Sequence, residues 1–289
     1  MIRKGKAVET INEARAAWSN IQPPRVVFLT GDKTMPAFLS TEERGRYERQ
    51  IGIDEIGEAG QVKLKQAKVC ICGAGGLGSP AAMYLAAAGI GTITLVDHDR
   101  VALTNLNRQI LHGDSDIGRF KVASAKATLH QLNAHVIVNA VQSHITQENA
   151  RALVADHDII IDALDNLGTR YILNKAALVS NIPFIHGAVN GFEGRIMTIL
   201  PGRSTCLRCL YRGPVEPPPA IPVIGVTPAV IGALQATEAI KIIIGIGEFL
   251  ADRLLIYDGL KLKFSEFKLR KNPTCDHCGY SSGRISSCV

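Results

Sequence analysis

The sequence of 289 residues contains no stretch that reads as a membrane-spanning helix. A long uncharged run, Pro217 to Thr237, holds five prolines, and the helix-like part that follows is cut by Glu238 and Lys241. A spanning helix needs about 20 mainly apolar residues in regular helix. No apolar signal core opens the chain either, because Met1–Ala16 is strewn with Arg, Lys and Glu. A dense basic stripe is also missing. The net charge is +6, but the excess sits at the two ends and the middle is neutral, which argues against nucleic acid. Basic ends suit an acidic protein partner instead. Internal repeats and long low-complexity tracts are absent. Cysteines are few and odd in number, seven, and four of them fall in two C-x-x-C pairs. Without a secretion signal, that usage points to the reducing cytoplasm and to a bound metal rather than to disulfides.

Apolar material is ample: 46% of residues are hydrophobic and 20% charged, with mean hydropathy +0.13. Wholesale disorder is excluded. Residues 1–40 read as an N-terminal extension without evident chemistry: a helix over Met1–Trp18, a break at Pro23-Pro24, a strand over Arg25–Leu29. Ser40 or Thr41 caps a polar helix running to Gln50, with Glu42 and Glu43 in its first turn. Strands and helices then alternate. Strands are expected at Lys68–Cys72, Thr92–Val96, Val136–Val141, Ile159–Asp162 and Phe184–Val189. Helices are expected at Ser79–Ala88, Phe120–Leu132, Gln147–Ala155 and Thr169–Val179. Near-continuous apolar strands separated by helices imply a parallel sheet covered on both faces. After Asn190 the pattern changes to strands at Gly194–Leu200, Leu254–Asp258 and Lys263–Leu269. Val215–Val226 is too proline-rich for regular structure, and Thr227-Pro228 opens a helix to about Ile244, with Thr227 as its cap. The reading is an α/β chain: a doubly wound, mostly parallel sheet extended by antiparallel strands, with one domain over 41–279 and a flexible tail over 280–289.

Four motifs carry chemistry. The turn Gly73-Ala-Gly75-Gly76-Leu-Gly78 lies between a strand and a helix, where glycine lets backbone approach a phosphate and the helix end attracts the anion. Asp97 follows at the end of the second strand, placed for a ribose hydroxyl. On these two features a nicotinamide or flavin dinucleotide fits as well as ATP. Next come Asp97-His-Asp99, Asn105 to Gln109 and Lys121. Arg108 and Lys121 could offset triphosphate charge, with Asn105 donating to a phosphate oxygen; a solvated loop and an ordinary first-turn lysine is the competing reading. Asp165 and Asn166 follow the fourth strand, where one could carry magnesium and one could cap a helix. Finally, Cys206, Cys209, Cys275 and Cys278 offer four thiolates for tetrahedral zinc, across a gap of about 65 residues. An iron–sulfur cluster is the minor alternative. His277 is expected to be exposed rather than a ligand. Cys70 and Cys72 read as inert core residues and Cys288 as an exposed tail thiol.

Taken in order, Arg46-Tyr-Glu-Arg-Gln-Ile51, the Gly73–Gly78 turn, Asp97-His-Asp99, Asn105-Leu-Asn-Arg-Gln109, Lys121, Asp165-Asn166, Gln235-Ala-x-Glu-Ala-Ile-Lys241 and both C-x-x-C pairs resemble the MoeB/ThiF/HesA family of ubiquitin-activating-enzyme-like adenylyltransferases. The resemblance covers about residues 40–279. It implies a Rossmann-like, zinc-bearing fold and ATP-dependent adenylation of the C-terminal glycine of a ubiquitin-like sulfur-carrier protein, of the molybdopterin-synthase or thiamine-pathway type. It implies a nucleotide site at Gly75, Gly76, Gly78, Asp97, Asp99, Gln109 and Asn166. Asn105, Arg108 and Lys121 would contact phosphates, and Asp165 would hold Mg2+. Arg49 would reach the phosphates of the partner subunit in a homodimer, and the four cysteines would bind structural Zn2+. A sulfur-donor protein or persulfide would take the product. Some relatives carry a cysteine after the first zinc pair; Leu210 to Val226 has none, so no covalent adduct is expected there. An NAD(P)-dependent oxidoreductase is the alternative, but it leaves Arg49, Arg108, Lys121 and the cysteine pairs without purpose.

Overall fold

The computed structural model describes residues 38–212 and 222–279. The helix and strand expected before Leu29, the tail with Cys288, and residues 213–221 of the proline-rich stretch lie outside them.

Eight strands form one sheet in the order β3-β2-β1-β4-β5-β6-β7-β8. The strands are β1 Lys68–Cys72, β2 Thr92–Val96, β3 Ile137–Val141, β4 Ile159–Asp162, β5 Phe184–Asn190, β6 Glu193–Ile199, β7 Arg253–Asp258 and β8 Lys263–Lys268. β1 to β5 are parallel to one another; β6, β7 and β8 are added antiparallel. Inner strands such as β4, Ile-Ile-Ile-Asp, are buried at every position because helices cover both faces. Alternation along each strand sorts the core. Val69, Ile71, Ile93, Leu95, Ile159 and Ile161 face one layer, and Cys70, Cys72 and Ile160 face the other.

The first layer holds α2 Gly57–Gln66, α3 Gly78–Ala87, α4 Lys121–Leu132 and α8 Val226–Ile244. The second holds α5 Ala150–Val154, α6 Leu167–Ser180 and the one-turn α7 Leu207–Leu210. α1, Thr41–Ile51, lies at the amino ends of the strands. There Asn133 Nδ2 donates to Tyr47 Oη at 2.8 Å and Gln50 Nε2 donates to Ala88 O at 2.8 Å. Ser40 is its cap, in a reciprocal capping box with Glu43.

Strand positions match expectation within a residue, but several helices do not. α2 was not anticipated, since Gly57 and Gly60 weaken its pattern; at Gly60 a Cβ would crowd Ile56 Cγ2 at 3.1 Å and Ile244 Cγ2 at 3.3 Å. α5 begins at Ala150 rather than Gln147, because Asn149 Oδ1 accepts from Thr146 N and holds those residues in a turn. Thr227 does not cap α8. The cap position is Gly225, and the Thr227 hydroxyl is spent on Gly191 O at 2.9 Å. Among the described residues α8 is the one helix long and apolar enough to cross a membrane; 61% of it is buried inside the fold, and Glu238 pairs with Lys241 on it.

β1 is the point at which strand order reverses, with β2 and β3 on one side and β4 on the other. Ligands on open parallel sheets bind outside the carboxyl ends at such a point.

Candidate nucleotide site and metal centre

A cleft of about 480 Å³ opens at the carboxyl ends of β1, β2 and β4. Its floor is the glycine turn. Gly73 takes φ +107, and a Cβ there would lie 2.5 Å from Ala163 O. Gly78 closes the turn onto itself: a Cβ would stand 1.9 Å from Gly73 O. α3 begins with no side-chain cap; Ser79 N donates to Gly75 O at 2.9 Å and Pro80 has no N–H, so the backbone facing the cleft is that of the turn ahead of the helix, Gly75, Gly76 and Leu77. The turn is pinned from two sides. Asp97 Oδ2 accepts from Ala74 N at 2.8 Å, and His112 Nε2 lies 3.0 Å from Ala74 O with Nδ1 2.9 Å from Ser124 Oγ.

Of the residues expected to bind nucleotide, Gly75, Gly76, Asp97, Asp99, Arg108, Gln109, Lys121, Asp165 and Asn166 line this cleft. Lys121 is not a solvated lysine. It is 5% exposed, and its Nζ lies 2.9 Å from Asp99 Oδ2. Burial works against the ionised Asp99, but its hydrogen bond and charge interaction with Lys121, helped by His98 and His144, prevail and hold the carboxyl below its usual range. Arg108 lies across Gly76 and donates to Thr104 O and Asn107 Oδ1. Gln109 is buried with Oε1 unpartnered, an acceptor waiting at the cleft wall. Asn166 caps α6, its Oδ1 accepting from Thr169 N at 2.9 Å, and Asp165 is left exposed beside it. The capping role weighed for this pair therefore falls to Asn166.

Gly78, Asn105 and Arg49 are not in the cleft wall. Gly78 serves helix–turn contact, and Asn105 accepts from Ala102 N to close a short turn. Arg49 is exposed on α1, at the opposite end of the strands, and makes no side-chain hydrogen bond or ion pair among the described residues.

Sequence reasoning missed Arg170, Pro228, His98 and His144, all in the wall. The two histidine rings stack with centroids 3.6 Å apart. Arg170 had one legible signal, a charge one turn past the cap Asn166. Pro228 had none, since its contact with Gly76 is made across the fold.

On the other face of the sheet the four cysteines converge. Sγ separations are 3.9 Å for Cys206–Cys209, 3.7 Å for Cys206–Cys275 and 3.5 Å for Cys209–Cys278, and all four lie within 4.8 Å of one another. A tetrahedron with metal–sulfur bonds of about 2.3 Å has edges of about 3.8 Å, so the cage fits a zinc-sized ion. Burial pushes the Cys278 thiol up to about 11, whereas backbone N–H groups of Asn272 and Cys206, against burial, hold Cys209 down. His277 is half-buried rather than exposed. Asn174 Nδ2 donates to its Nδ1 at 2.8 Å, and its ring meets Tyr171 edge-on, so it is a packing residue and not a ligand. Cys70 and Cys72 are wholly buried.

The profile of the ThiF family matches residues 47–277. The chain is 45% identical over 248 residues to the adenylyltransferase and sulfurtransferase MOCS3 of Anopheles gambiae, covering 83% of this chain and 56% of that protein. It is 42% identical to the sulfur carrier protein adenylyltransferase of Thermus thermophilus, covering 82% of this chain and 92% of that one. Among solved structures, E. coli MccB with ATP matches with a TM-score of 0.74 and 26% identity, over 83% of this chain and 75% of that one.

Proposed function

Because the chain belongs to the ThiF family, we propose that it adenylates the C-terminal carboxylate of a small ubiquitin-like sulfur-carrier protein at the expense of ATP. The observation that carries the reading is the cleft itself. An uncapped helix end, the buried Lys121 and the open carboxylate of Asp165 converge where triphosphate charge has to be held. A nicotinamide dinucleotide has no use for that array. The names of the relatives support the same activity and the same class of partner.

The carrier's carboxylate is already ionised and needs no protein base. One of its oxygens bonds to the α-phosphorus as the bond to the β-phosphate oxygen breaks, leaving acyl-adenylate and pyrophosphate. The backbone of the turn ahead of α3, Gly75 to Leu77, cradles phosphate, Asp97 is placed for a ribose hydroxyl, and Lys121 and Arg108 neutralise the departing pyrophosphate. Asp165, an oxygen donor with no strong partner of its own, is the residue to hold Mg2+, which supplies further charge neutralisation when bound. Zn2+ in the four-cysteine cage is structural, tying α7 to the 275–278 turn. With no cysteine from Leu210 to Val226, the acyl-adenylate passes to an external persulfide or sulfur-donor protein. Residues 41–279 act as one cytoplasmic adenylyltransferase domain.

ATP–pyrophosphate exchange with candidate carriers from the same organism tests the reading. Exchange is expected with one carrier and is lost when its terminal glycine is removed. Stabilisation of the protein by NAD in place of ATP–Mg2+ in a thermal-shift assay would overturn it.

A further inference from the structure

Between β4 and the cleft lies a buried polar network that the adenylation chemistry above does not use. Asp162 ends β4 with its side chain fully buried. Its Oδ2 accepts from His186 Nδ1 at 2.6 Å, and its Oδ1 accepts from Leu164 N at 3.1 Å. Arg170, 9% exposed, brings Nε to 3.4 Å of the same Oδ2, within ion-pair range but outside hydrogen-bond geometry. Its Nη2 donates to Leu164 O and, at 2.8 Å, to Gly187 O. From the opposite face of the sheet, Gln235 Nε2 donates to Asp162 O at 2.7 Å and to Ile185 O at 3.1 Å. Gly187 makes this possible, since a Cβ there would lie 2.7 Å from the Gln235 amide.

The segment Asp162–Leu164 is thus gripped through both its N–H and C=O groups and from both faces. Asp165 follows at once, and Asn166 after it is locked as the α6 cap. Asp165, exposed at the cleft, is held between two fixed neighbours. Buried ion pairs return little net stability, because desolvation offsets their attraction. What they do return is fixed geometry, which a group facing metal and phosphate needs. Burial keeps the His186 imidazole neutral against the pull of Asp162. It therefore acts as a donor from Nδ1, leaving the Asp162 charge to Arg170.

We propose that Asp162, His186 and Arg170 are positioning residues that hold the Asp165 carboxylate in place for Mg2+ and phosphate. The proposal rests on the adenylation reading. Removing an outer partner of a metal ligand typically costs about 10–100-fold in metal affinity or activity.

The test compares His186→Leu, which removes the donor, with His186→Asn, whose amide nitrogen can occupy the Nδ1 position. In ATP–pyrophosphate exchange His186→Leu is expected to lower kcat about 10–100-fold, to change KM for the carrier little, and to raise the Mg2+ concentration needed for half-activity. His186→Asn is expected to restore most of the rate. Independently of turnover, amide hydrogen exchange on the ligand-free protein should speed up over residues 163–167 in His186→Leu and return toward wild type in His186→Asn. Wild-type kcat and Mg2+ dependence in a folded His186→Leu protein overturns the proposal. So does a loss that His186→Asn shares in full while its 163–167 amides stay protected. A wild-type protein without exchange activity on any carrier overturns the adenylation reading instead, and leaves the amide-exchange arm to judge the network by itself.

Discussion

Two residues show how narrowly the glycine turn is built. At Gly78 a methyl group would stand 1.9 Å from a backbone oxygen that belongs to the turn itself. Neither atom can step aside without opening the cleft floor. Gly78→Ala is expected to cost about 3 kcal/mol or more, at the upper end of overpacking penalties, and to weaken ATP binding with it. Urea melts and calorimetric titration measure both. His112 holds the same turn as a neutral imidazole donating from Nε2 to Ala74 O and accepting at Nδ1 from Ser124. Burial foremost, with the Lys121 charge, keeps it below the ordinary histidine value, against the pull of Ala74 O, Asp116 and Asp97. In the unfolded chain it takes a proton near pH 6.5, whereas in the fold it resists one. Its contribution is therefore complete above about pH 6.5 and is lost as the pH falls toward the folded value, by at most about 1.4 kcal/mol per pH unit. Between pH 7 and 5 the melting temperature of the wild type should fall more steeply than that of His112→Gln. Parallel curves from scanning calorimetry would contradict this.

Elements explain how the four-cysteine cluster, apart from the cleft, bears on the fold. α7 is a single turn, and the 275–278 segment is a loop beyond the exposed edge strand β8. Leu207 packs α7 into the core, and Arg208 joins it to Asp276 at 3.1 Å. An exposed ion pair contributes little; the four sulfurs do the joining. Chelation, or Cys275→Ser, should lower the melting temperature by about 10 °C, several kcal/mol at about 2–4 °C each. Hydrogen exchange should accelerate in residues 205–211 and 270–279 and remain unchanged in α3. Elemental analysis is expected to find about one zinc per chain. Iron with sulfide, or no metal, would refute the assignment.

For the whole molecule the decisive fact is that α1 and the cleft occupy opposite ends of the sheet. Tyr47 and Gln50 bind α1 at the amino ends, beside Ala88 and Asn133, whereas the cleft opens at the carboxyl ends. The five residues of β1 alone separate the two by about 17 Å. Arg49 therefore has no route to its own cleft, and a phosphate role for it requires a second copy of the chain. With that role, Arg49→Ala and Lys121→Ala proteins should each lose about 10²–10³-fold in exchange rate. Mixing and re-equilibrating the two should recover activity, because one site of each hybrid has both residues. Absence of recovery in verified heterodimers would remove Arg49 from the site.

Much of this protein was determined by local sequence. The apolar strands from Lys68 to Val189, the Ser40 cap, the glycine turn before a helix and the paired cysteine spacings act over a few residues, where side-chain period and backbone sterics decide the outcome. Cleft residues Gly76, Asp97, Lys121 and Asp165 were legible for the same reason, each standing at a strand or helix end. Tertiary structure decided the rest. It buried Lys121 against Asp99 where the sequence left a surface lysine equally open, and it turned Thr227 from a helix cap into a partner of Gly191. It half-buried His277 against Asn174 and Tyr171, and it revealed α2, whose Gly60 packs closely against Ile244 of α8. It also joined Asp162, His186, Arg170 and Gln235, residues drawn from four elements. No local pattern announces such a network, because its hydrogen bonds exist only once β4, β5, α6 and α8 are packed and water is excluded from between them.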